Sequence, residues 1–357
     1  MRVCVVGAGA IGGFVAARLA RSGAQVTLVA RGATLKALRT TGLTLVENDG
    51  TSGVHKLRAV PSLLEAGIQD LVILATKAHQ IEPLVDSIAA TWHRETVVVP
   101  MQNGIPFWYF QGFAGALHGR VVRSVDPEGS AAMRIPAERI LGCVVYPACE
   151  VDSPAVVRHV EGERFPIGEL DGTTTDRAVQ VSNLFITAGL KSPILADIRS
   201  EIWLKLWGNL CLNPISALTG ATLAGICAEP YSRSLAVAMM EEAREVATKL
   251  GATFRVGIER RLEGAAKVGE HRTSMLQDID TRRRTEVDAL LGSVIELAKL
   301  TNTPVPRLES VYACMRLLEL TVCRERPPER LDASAFPGVP RAEVHGGERP
   351  AYSMASR

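Results

Sequence analysis

Residues 2–13 read RVCVVGAGAIGG, an apolar run that passes into a stretch with glycines at positions 7, 9 and 12. The run predicts a buried strand and the residues after it a helix, so the glycines fall in a strand-to-helix turn. There the first glycine permits a tight bend, the second lets the backbone approach a pyrophosphate, and the third allows close helix–strand packing. We therefore predict a dinucleotide-binding loop; the alternative is a tight turn that binds no ligand. The loop residues are Gly7, Ala8, Gly9, Ala10, Ile11 and Gly12.

The N-terminal half alternates apolar, strand-like runs with amphipathic, helix-like stretches. Further runs of the first kind are QVTLVA (25–30), DLVILAT (70–76) and ETVVVP (95–100). Continuous apolar runs rich in β-branched residues suit strands that are covered on both faces. The alternation predicts a parallel sheet with helices on both sides. Residues 139–170 read as antiparallel strand pieces that extend this sheet.

After about residue 197 the strand-like runs disappear. The helical segments that the pattern predicts are 201–213, 229–250, 255–265, 275–300 and 307–323. The fold class we predict is an α/β N-terminal domain of the Rossmann type at 1–196, followed by an all-α domain at 197–324. Residues 325–357 contain five prolines and no apolar period, which predicts a poorly ordered tail.

Bulk composition excludes several classes of function. The chain has 357 residues, 40 of them basic and 38 acidic, for a formal charge of +2. A net charge this close to zero creates no strong electrostatic field that would attract nucleic acid or an anionic membrane surface. The seven cysteines form no CxxC motif, which indicates reduced, buried thiols in a cytoplasmic protein. No HExxH, His/Cys cluster or GxSxG elbow is present, so we expect neither a metal site nor a serine nucleophile.

One segment has the length of a membrane span. Residues 206–228 carry no charge, and a stretch of that length can cross a bilayer. They contain asparagines, Pro214 and Gly220, however, and no basic clusters flank them. We therefore expect a buried pair of helices with a break near Pro214 rather than a membrane helix.

The end of the second predicted strand bears on the choice of cofactor. It reads TLVAR, with Arg31 where an NAD enzyme usually carries an acid, and the next acid is Glu47. A guanidinium at that point suits the 2′-phosphate of NADP. The alternative is a solvated surface arginine.

Two more loops follow predicted strands, where the ligands of parallel sheets bind. They are ATKAH (75–79) and PMQNG (100–104). Lys77 and Asn103 are therefore candidates to line the cofactor crevice, although a surface lysine and an Asn-Gly turn would explain them equally well. The aromatic run FWYF (107–110) is more typical of packing than of a substrate-binding wall.

The segment EIWLKLWGNLCLNP (201–214) is apolar except for a polar stripe. Lys205, Asn209 and Asn213 recur at four-residue steps, which places them on one side of a helix. In one interpretation Lys205 reaches to water and the asparagines line a domain seam. In the other a polar ligand satisfies all three groups, which are costly to bury unpaired. The ammonium could then protonate a carbonyl oxygen.

A second polar set lies in SMLQDIDTRRRTEVD (274–288). Ser274 resembles a helix N-cap, with Gln277 completing a capping box, and we expect the helix to continue through Glu286. The spacing predicts the i,i+4 ion pairs Asp278–Arg282 and Asp280–Arg284 on a solvated face. Spacing alone does not single out Glu286.

Taken in order along the chain, these motifs resemble those of ketopantoate reductases (2-dehydropantoate 2-reductases). The matching segments are GAGAIGG (7–13), ATKAH (75–79), MQNG (101–104), WLKLWGNLCLNP (203–214), SMLQDIDTRRRTEVD (274–288) and TPVP (303–306). The resemblance implies a Rossmann domain, a helical domain like that at the C-terminus of 6-phosphogluconate dehydrogenase, and an active site in the cleft between them. It also implies NADP(H) as the cofactor.

The resemblance assigns roles to the residues that match. Lys205 becomes the general acid, and Glu286 the active-site acid that bonds substrate and positions the reacting groups. Asn209, Asn213 and Ser274 become substrate contacts.

On the cofactor side, the resemblance places Lys77 and Asn103 along the cleft and Arg31 at the 2′-phosphate. The chain departs from the family pattern at Thr222-Leu223, where a further substrate asparagine is usual, and in the bulky IPFWYF (105–110). The substrate expected is therefore 2-dehydropantoate, reduced to pantoate with NADPH, or else another branched or aromatic 2-oxo acid. The alternative from a different functional class is a non-catalytic protein that binds NADP as a sensor. The partner we expect is a small 2-oxo acid, and a homodimer is left open.

Overall fold

The structure of the protein is a computed structural model that describes residues 1–323. The tail predicted at 325–357 lies outside the described residues. Within them all strands occur in the first half and the second half is helical, which confirms the predicted fold class. The strand contacts end at Ile194 and the first long helix begins at Ile198. For that reason we keep Ala196 as our proposed domain boundary.

The strands in the described part of the chain are short. They are β1 (Arg2–Val6), β2 (Gln25–Val29), β3 (Leu43–Val46), β4 (Ser52–His55), β5 (Arg58–Val60), β6 (Leu71–Leu74), β7 (Val97–Pro100), β8 (Gly142–Cys143), β9 (Ala148–Ser153), β10 (Val156–Glu161) and β11 (Ile167–Gly168). Five of them form a parallel sheet in the order β5-β2-β1-β6-β7. The strand order reverses between β1 and β6, and ligands of such sheets bind at the carboxyl ends of the strands beside that reversal.

The apolar runs form the interior of this sheet, as predicted. Every residue of β6 and β7 is buried, and so is every residue of β1 after Arg2. Val and Ile dominate these strands because branched side chains pack well on a pleated surface that is covered on both faces.

The strands after residue 139 extend the sheet only in part. Ile140 forms a parallel bridge with Val98 of β7, and β8 then pairs with β11 antiparallel, as expected. The expectation is wrong for β9 and β10, which join β3 and β4 in a separate four-stranded sheet. The reason is that β10 pairs in parallel with β3, a segment that the sequence patterns did not mark as a strand.

Six α-helices of the described residues belong to the strand-containing half. They are α1 (Ala10–Arg21), α2 (Gly32–Thr40), α3 (Leu63–Ala66), α4 (Val85–Ala89), α5 (Ser130–Arg134) and α6 (Asp176–Thr187). The helical half contains α7 (Ile198–Thr219), α8 (Leu223–Ala228), α9 (Pro230–Lys249), α10 (Ile258–Lys267), α11 (Ser274–Asp280), α12 (Ser293–Leu300) and α13 (Pro306–Val322).

The predicted break near Pro214 is wrong, because α7 runs through that residue. Proline removes one backbone donor from a helix, but α7 packs against α9, α11 and α13, and this burial holds the helix together. The helix continues to Thr219, and Gly220 then adopts φ +74° as a left-handed cap. Among the helices of residues 1–323, none has the length and apolar character that crossing a membrane requires.

The predicted helix over 275–300 is also wrong, since it is interrupted in the middle. α11 ends at Asp280, Arg282 adopts φ +52°, and a π-helical turn at Asp288–Gly292 precedes α12. A buried tertiary contact favours the interruption: the backbone N–H and the hydroxyl of Thr285 both donate to Glu319 of α13, at 2.6 and 2.7 Å. Glu286 therefore lies in a turn and not on a regular helix.

The aromatic run at 107–110 belongs to the core, as predicted. All four side chains are at most 2% exposed, and Tyr109 accepts a hydrogen bond from the indole of Trp203 at 2.7 Å. Burial of the cysteines is confirmed for Cys4, Cys143 and Cys211 and wrong for Cys314, which is exposed.

Candidate active site

The glycine-rich loop follows β1 and begins α1. Gly7 adopts φ +103°, and its N–H donates to the carbonyl of Val29 at 3.1 Å. A Cβ on Gly12 would lie 1.9 Å from the carbonyl oxygen of Gly7. Glycine is therefore required at position 7 by the backbone conformation and at position 12 by the close approach of the helix to the strand.

The middle of this loop has room for a ligand. Gly9 is the N-cap of α1, no side chain caps that helix, and a Cβ on Gly9 would meet no atom within 4 Å. The first N–H groups of a helix lack internal partners and attract anions. Ala8, Ala10 and Ile11 are only partly buried around it. The loop residues thus fit the pyrophosphate of a dinucleotide.

Arg31 lies where the sequence predicts it, just after β2 at the N-cap of α2. Its side chain is exposed, and within residues 1–323 its guanidinium makes no hydrogen bond or ion pair. It is therefore available to an anionic group beside the glycine loop.

Lys77 follows β6, but its side chain crosses to the helical half. Its ammonium donates to Asp278 Oδ2 at 2.6 Å and to the carbonyl of Arg284 at 2.7 Å. Asp278 also accepts from Arg283 at 3.2 Å, so the predicted pair Asp278–Arg282 is wrong. α11 ends too early for i,i+4 pairing, and Asp280 bonds instead to Arg272.

Asn103 lies on the loop after β7 and is held there by its neighbour. Gln102 donates to the carbonyls of Leu74 at 2.7 Å and Thr76 at 2.9 Å, which ties this loop to the adjacent strand β6. The carboxyl ends of β1, β6 and β7 thus carry the glycine loop, Lys77 and Asn103 side by side. The sequence predicted this grouping.

Lys205 and Glu286 meet at Asn103. The Lys205 ammonium donates to Asn103 Oδ1 at 2.6 Å and to the carbonyl of Val145, and the Asn103 amide donates to Glu286 Oε2 at 3.1 Å. A lysine of α7, an amide of the sheet half and a carboxylate of the turn before α12 therefore form one chain of hydrogen bonds. Lys205 is half-buried and both groups that accept from it belong to the protein, which argues against the interpretation of a solvated lysine.

A close backbone contact holds this chain in place. Ile105 N–H donates to the carbonyl of Ala289 at 3.0 Å. Gly104 adopts φ +84°, and a Cβ there would lie 2.1 Å from that same carbonyl oxygen. Ala289 belongs to the π-helical turn, a form that is often found at functional sites. Gly104 therefore lets the Asn103 loop dock against the π-helical turn that follows Glu286.

Burial shifts the pKa values of Lys205 and Glu286, the two ionisable residues that are linked through Asn103. It lowers the pKa of Lys205 to about 8, although the negative charge of Glu286 partly opposes the shift. Burial raises the pKa of Glu286, although the hydrogen bond from Asn103 and the charge of Lys77 oppose it. A lysine with a pKa near neutrality can give up a proton and regain it under ordinary conditions.

The other polar residues of the stripe are available for a ligand. Asn209 is half-buried and Asn213 is 8% exposed. Neither side chain makes a hydrogen bond within the described residues. Ser274 is exposed on α11, which packs against α7. The N-cap prediction for Ser274 is wrong: Thr273 is the cap and accepts from Leu276 N–H at 3.3 Å. The hydroxyl of Ser274 is thereby left for other contacts.

A buried carboxylate fixes the start of α7 against the sheet half. Glu201 has a side chain that is 1% exposed, and it accepts from Tyr146 at 2.7 Å, Arg164 at 2.5 Å and Arg255 at 2.7 Å. Burial alone would raise the pKa of Glu201, but these hydrogen bonds outweigh it and the net shift is downward. The anchored end of α7 lies one helical turn from Lys205.

Sequence reasoning missed several members of this arrangement. The carbonyl of Val145 has no side-chain signal, and Asp278 was assigned to a solvated face. Gly104 was interpreted only as part of an Asn-Gly turn. Within residues 1–323 no group of acidic, histidine or cysteine side chains could hold a metal ion.

A glycine-rich turn after β1, with a lysine of the helical half bonded to a loop of the sheet half, fits a two-domain oxidoreductase that works with a nicotinamide dinucleotide. Two family models match the chain: Ketopantoate reductase PanE/ApbA over residues 3–172 and Ketopantoate reductase PanE/ApbA C terminal over residues 197–319. The chain belongs to the ketopantoate reductase family, and it is therefore an oxidoreductase that acts on CH–OH groups.

Individual relatives agree with this assignment. A 2-dehydropantoate 2-reductase of Mesorhizobium japonicum is 49% identical over 319 residues, which cover 89% of this chain and 98% of the relative. The crystal structure of a protein from Ralstonia solanacearum MolK2, provisionally named a ketopantoate reductase, matches with a TM-score of 0.85 at 39% identity. The match covers 90% of this chain and 98% of that one. D-mandelate dehydrogenase, solved with NADH and anilino(oxo)acetate, shares the fold with a TM-score of 0.78 at 20% identity, over 90% of this chain and 99% of that chain.

Proposed function

We propose that the protein reduces 2-dehydropantoate to pantoate with NADPH, a step of pantothenate and coenzyme A biosynthesis. The observation that carries the proposal is the hydrogen-bonded set Lys205–Asn103–Glu286, which joins the two halves beside the dinucleotide loop. The relative of Mesorhizobium japonicum that bears the name 2-dehydropantoate 2-reductase supports the choice of substrate.

Lys205 acts as the general acid in this proposal. When bound, NADPH supplies the hydride that adds to the keto carbon. Lys205 donates its proton to the keto oxygen, so that C=O becomes CH–OH, and the neutral amine then takes a proton from solvent. A pKa of about 8 leaves Lys205 largely protonated at neutral pH, and general acid catalysis typically contributes about 10²–10⁴-fold.

Asn103 and Glu286 orient the acid. The Asn103 carbonyl accepts from the ammonium, which fixes the direction of Lys205, and its amide donates to Glu286 at 3.1 Å. Glu286 in its charged form also favours the protonated lysine. We assign Glu286 the further role of accepting a hydrogen bond from the substrate.

Three polar side chains of the helical half that make no hydrogen bond within residues 1–323 are the proposed substrate contacts. Asn209 and Asn213 lie on the same side of α7 as Lys205, and Ser274 begins the helix packed against α7. Amides and a hydroxyl can hold the polar groups of an oxo acid and fix its orientation.

The cofactor contacts are proposed for the sheet half. Gly7, Ala8, Gly9, Ala10, Ile11 and Gly12 would hold the pyrophosphate at the N-terminus of α1. Arg31 would bind the 2′-phosphate that distinguishes NADP from NAD. Lys77 and Asn103 would line the crevice at the ends of β6 and β7.

The test is consumption of NADPH by the purified protein with a panel of 2-oxo acids. The panel contains 2-dehydropantoate, a second branched acid and an acid with an aromatic side chain. Turnover that is fastest with 2-dehydropantoate supports the proposal. Turnover of another acid alone would contradict the substrate but leave the chemistry, whereas NADPH binding without any turnover would point to the sensor.

A further inference from the structure

Gly208 is an interior glycine of helix α7, at a position where a side chain would crowd a neighbouring residue. It lies in the middle of the helix, is buried, and falls between Lys205 and Leu212. Glycine is among the least favourable residues in a helix interior. A Cβ at this position would lie 2.8 Å from one terminal nitrogen of Arg261 and 3.0 Å from its Nε. The missing side chain therefore makes room for a guanidinium.

Arg261 belongs to α10, which packs against α7. It is half-buried, and within residues 1–323 its guanidinium makes no hydrogen bond and no ion pair. Two other arginines of the helical half are paired, Arg255 with Glu201 and Arg233 with Glu259. A guanidinium that is partly removed from water and has no partner is costly, so this one is in place for an anion.

The guanidinium is also close to the proposed acid. Burial is the largest cause of the lowered pKa of Lys205, and the positive charge of Arg261 adds to it. Along α7, Gly208 lies about 60° from Lys205 in one direction and Asn209 about 40° in the other. Lys205 is thus flanked by a cation on one side and by the amide stripe on the other.

We propose that Arg261, whose guanidinium occupies the space that Gly208 leaves, binds the carboxylate of the 2-oxo acid beside Lys205. This inference rests on the proposed function. In a 2-oxo acid the carboxylate is attached to the keto carbon, so an acid whose keto oxygen contacts Lys205 presents its carboxylate a few bond lengths away. Arginine suits this task because its planar fork matches a carboxylate with two parallel hydrogen bonds. Asn209 and Asn213 are then left for the remaining polar groups of the substrate.

The first experiment compares Arg261→Gln with Arg260→Gln, a matched control that removes the same charge from an exposed neighbour on α10. We expect Arg261→Gln to raise the KM for the oxo acid by about tenfold or more, the size of a lost bond to a charged group. The KM for NADPH and the melting temperature stay near those of wild type. Arg260→Gln behaves as wild type.

A second readout separates a carboxylate contact from a structural role. The methyl ester of the same oxo acid lacks the anionic charge, so its kcat/KM should be nearly equal in wild type and in Arg261→Gln. Equal losses for acid and ester would overturn the proposal. Gly208→Ala keeps the charge but displaces the guanidinium, and it should reproduce the selective loss for the acid.

Binding of oxamate, an unreactive analogue of a 2-oxo acid, distinguishes failure of this inference from failure of the proposed function. Oxamate is titrated into each protein in the presence of NADP⁺. If no oxo acid is reduced, the proposed function is wrong, yet oxamate binding that is lost in Arg261→Gln and kept in Arg260→Gln still supports the anion site. Equal binding to both variants, or reduction of the acid with an unchanged KM in Arg261→Gln, would refute it.

Discussion

Lys205 Nζ lies 2.6 Å from Asn103 Oδ1, although 102 positions separate the two residues along the chain. One is on a helix of the C-terminal half and the other on a loop at the end of a sheet strand. The bond forms only when the two halves are folded against each other. The proposed chemistry therefore depends on contact between the two halves of the chain.

Replacing Lys205 with alanine should lower kcat by about 10²–10⁴-fold, because the proton for the keto oxygen loses its donor. NADPH binding should survive, since the glycine loop belongs to the sheet half and Lys205 to the helical half. Steady-state kinetics and a fluorescence titration with NADPH measure the two quantities. Lys267→Ala, on the exposed end of α10, is the control. Near-normal turnover in Lys205→Ala would remove this residue from the proposed role.

The pH profile of kcat/KM should fall above pH 8, because Lys205 must be protonated to act and burial lowers its pKa to about 8. The negative charge of Glu286 raises that pKa, so Glu286→Gln should move the alkaline limb to lower pH. Burial raises the pKa of Glu286 itself, and loss of its charge should produce an acidic limb that the Gln variant lacks. An alkaline limb that stays in place in Glu286→Gln would contradict the coupling of the two groups.

Gly104→Ala should impair both folding and turnover. A left-handed conformation costs a side-chain-bearing residue about 1–2 kcal/mol, and here the new Cβ would also overlap the carbonyl of Ala289. Gly50→Ala is the matched control, since Gly50 has the same φ of +84° and no atom within 4 Å of an added Cβ. Thermal unfolding and kcat are measured for both. Equal loss of stability in the two variants would show that contact with the π-helical turn is unimportant.

Arg31→Ala should reduce the preference for NADPH over NADH, because the 2′-phosphate would lose a charged hydrogen-bond donor worth about 1.5–3 kcal/mol. The ratio of kcat/KM for the two cofactors measures this preference. Lys36→Ala changes an exposed charge on the same helix and serves as the control. If the ratio is the same in wild type and Arg31→Ala, the arginine does not recognise the phosphate.

Much of the fold was predictable because the deciding signals are local. The glycines at positions 7, 9 and 12 and the apolar strands around them identify the sheet half without any tertiary information. The helices α9 and α13 lie where apolar periodicity predicts them. The errors are at places where distant contacts override local pattern. Burial carries α7 through Pro214, and the bond from Thr285 to Glu319 accompanies the interruption at residues 281–287.

The candidate site was predictable as a set of side chains but not as a set of contacts. Lys205, Asn209 and Asn213 share one helical side by simple spacing, whereas the link between Lys205 and Glu286 passes through Asn103, far away in the sequence. Glu286 itself was identified by resemblance alone. The pairing of Gly208 with Arg261 has no local signal, since a glycine in one helix and an arginine in another are individually unremarkable.

Asp278 competes with any ligand for the ammonium of Lys77. If the Lys77 ammonium turns from Asp278 toward the cofactor, it gives up a carboxylate at 2.6 Å. Coupling free energies are reciprocal. The free energy that breaking this contact subtracts from cofactor binding is therefore equal to the free energy by which bound cofactor weakens the Lys77–Asp278 contact between the two halves. The affinity for the cofactor would then be set partly by a residue that never touches it.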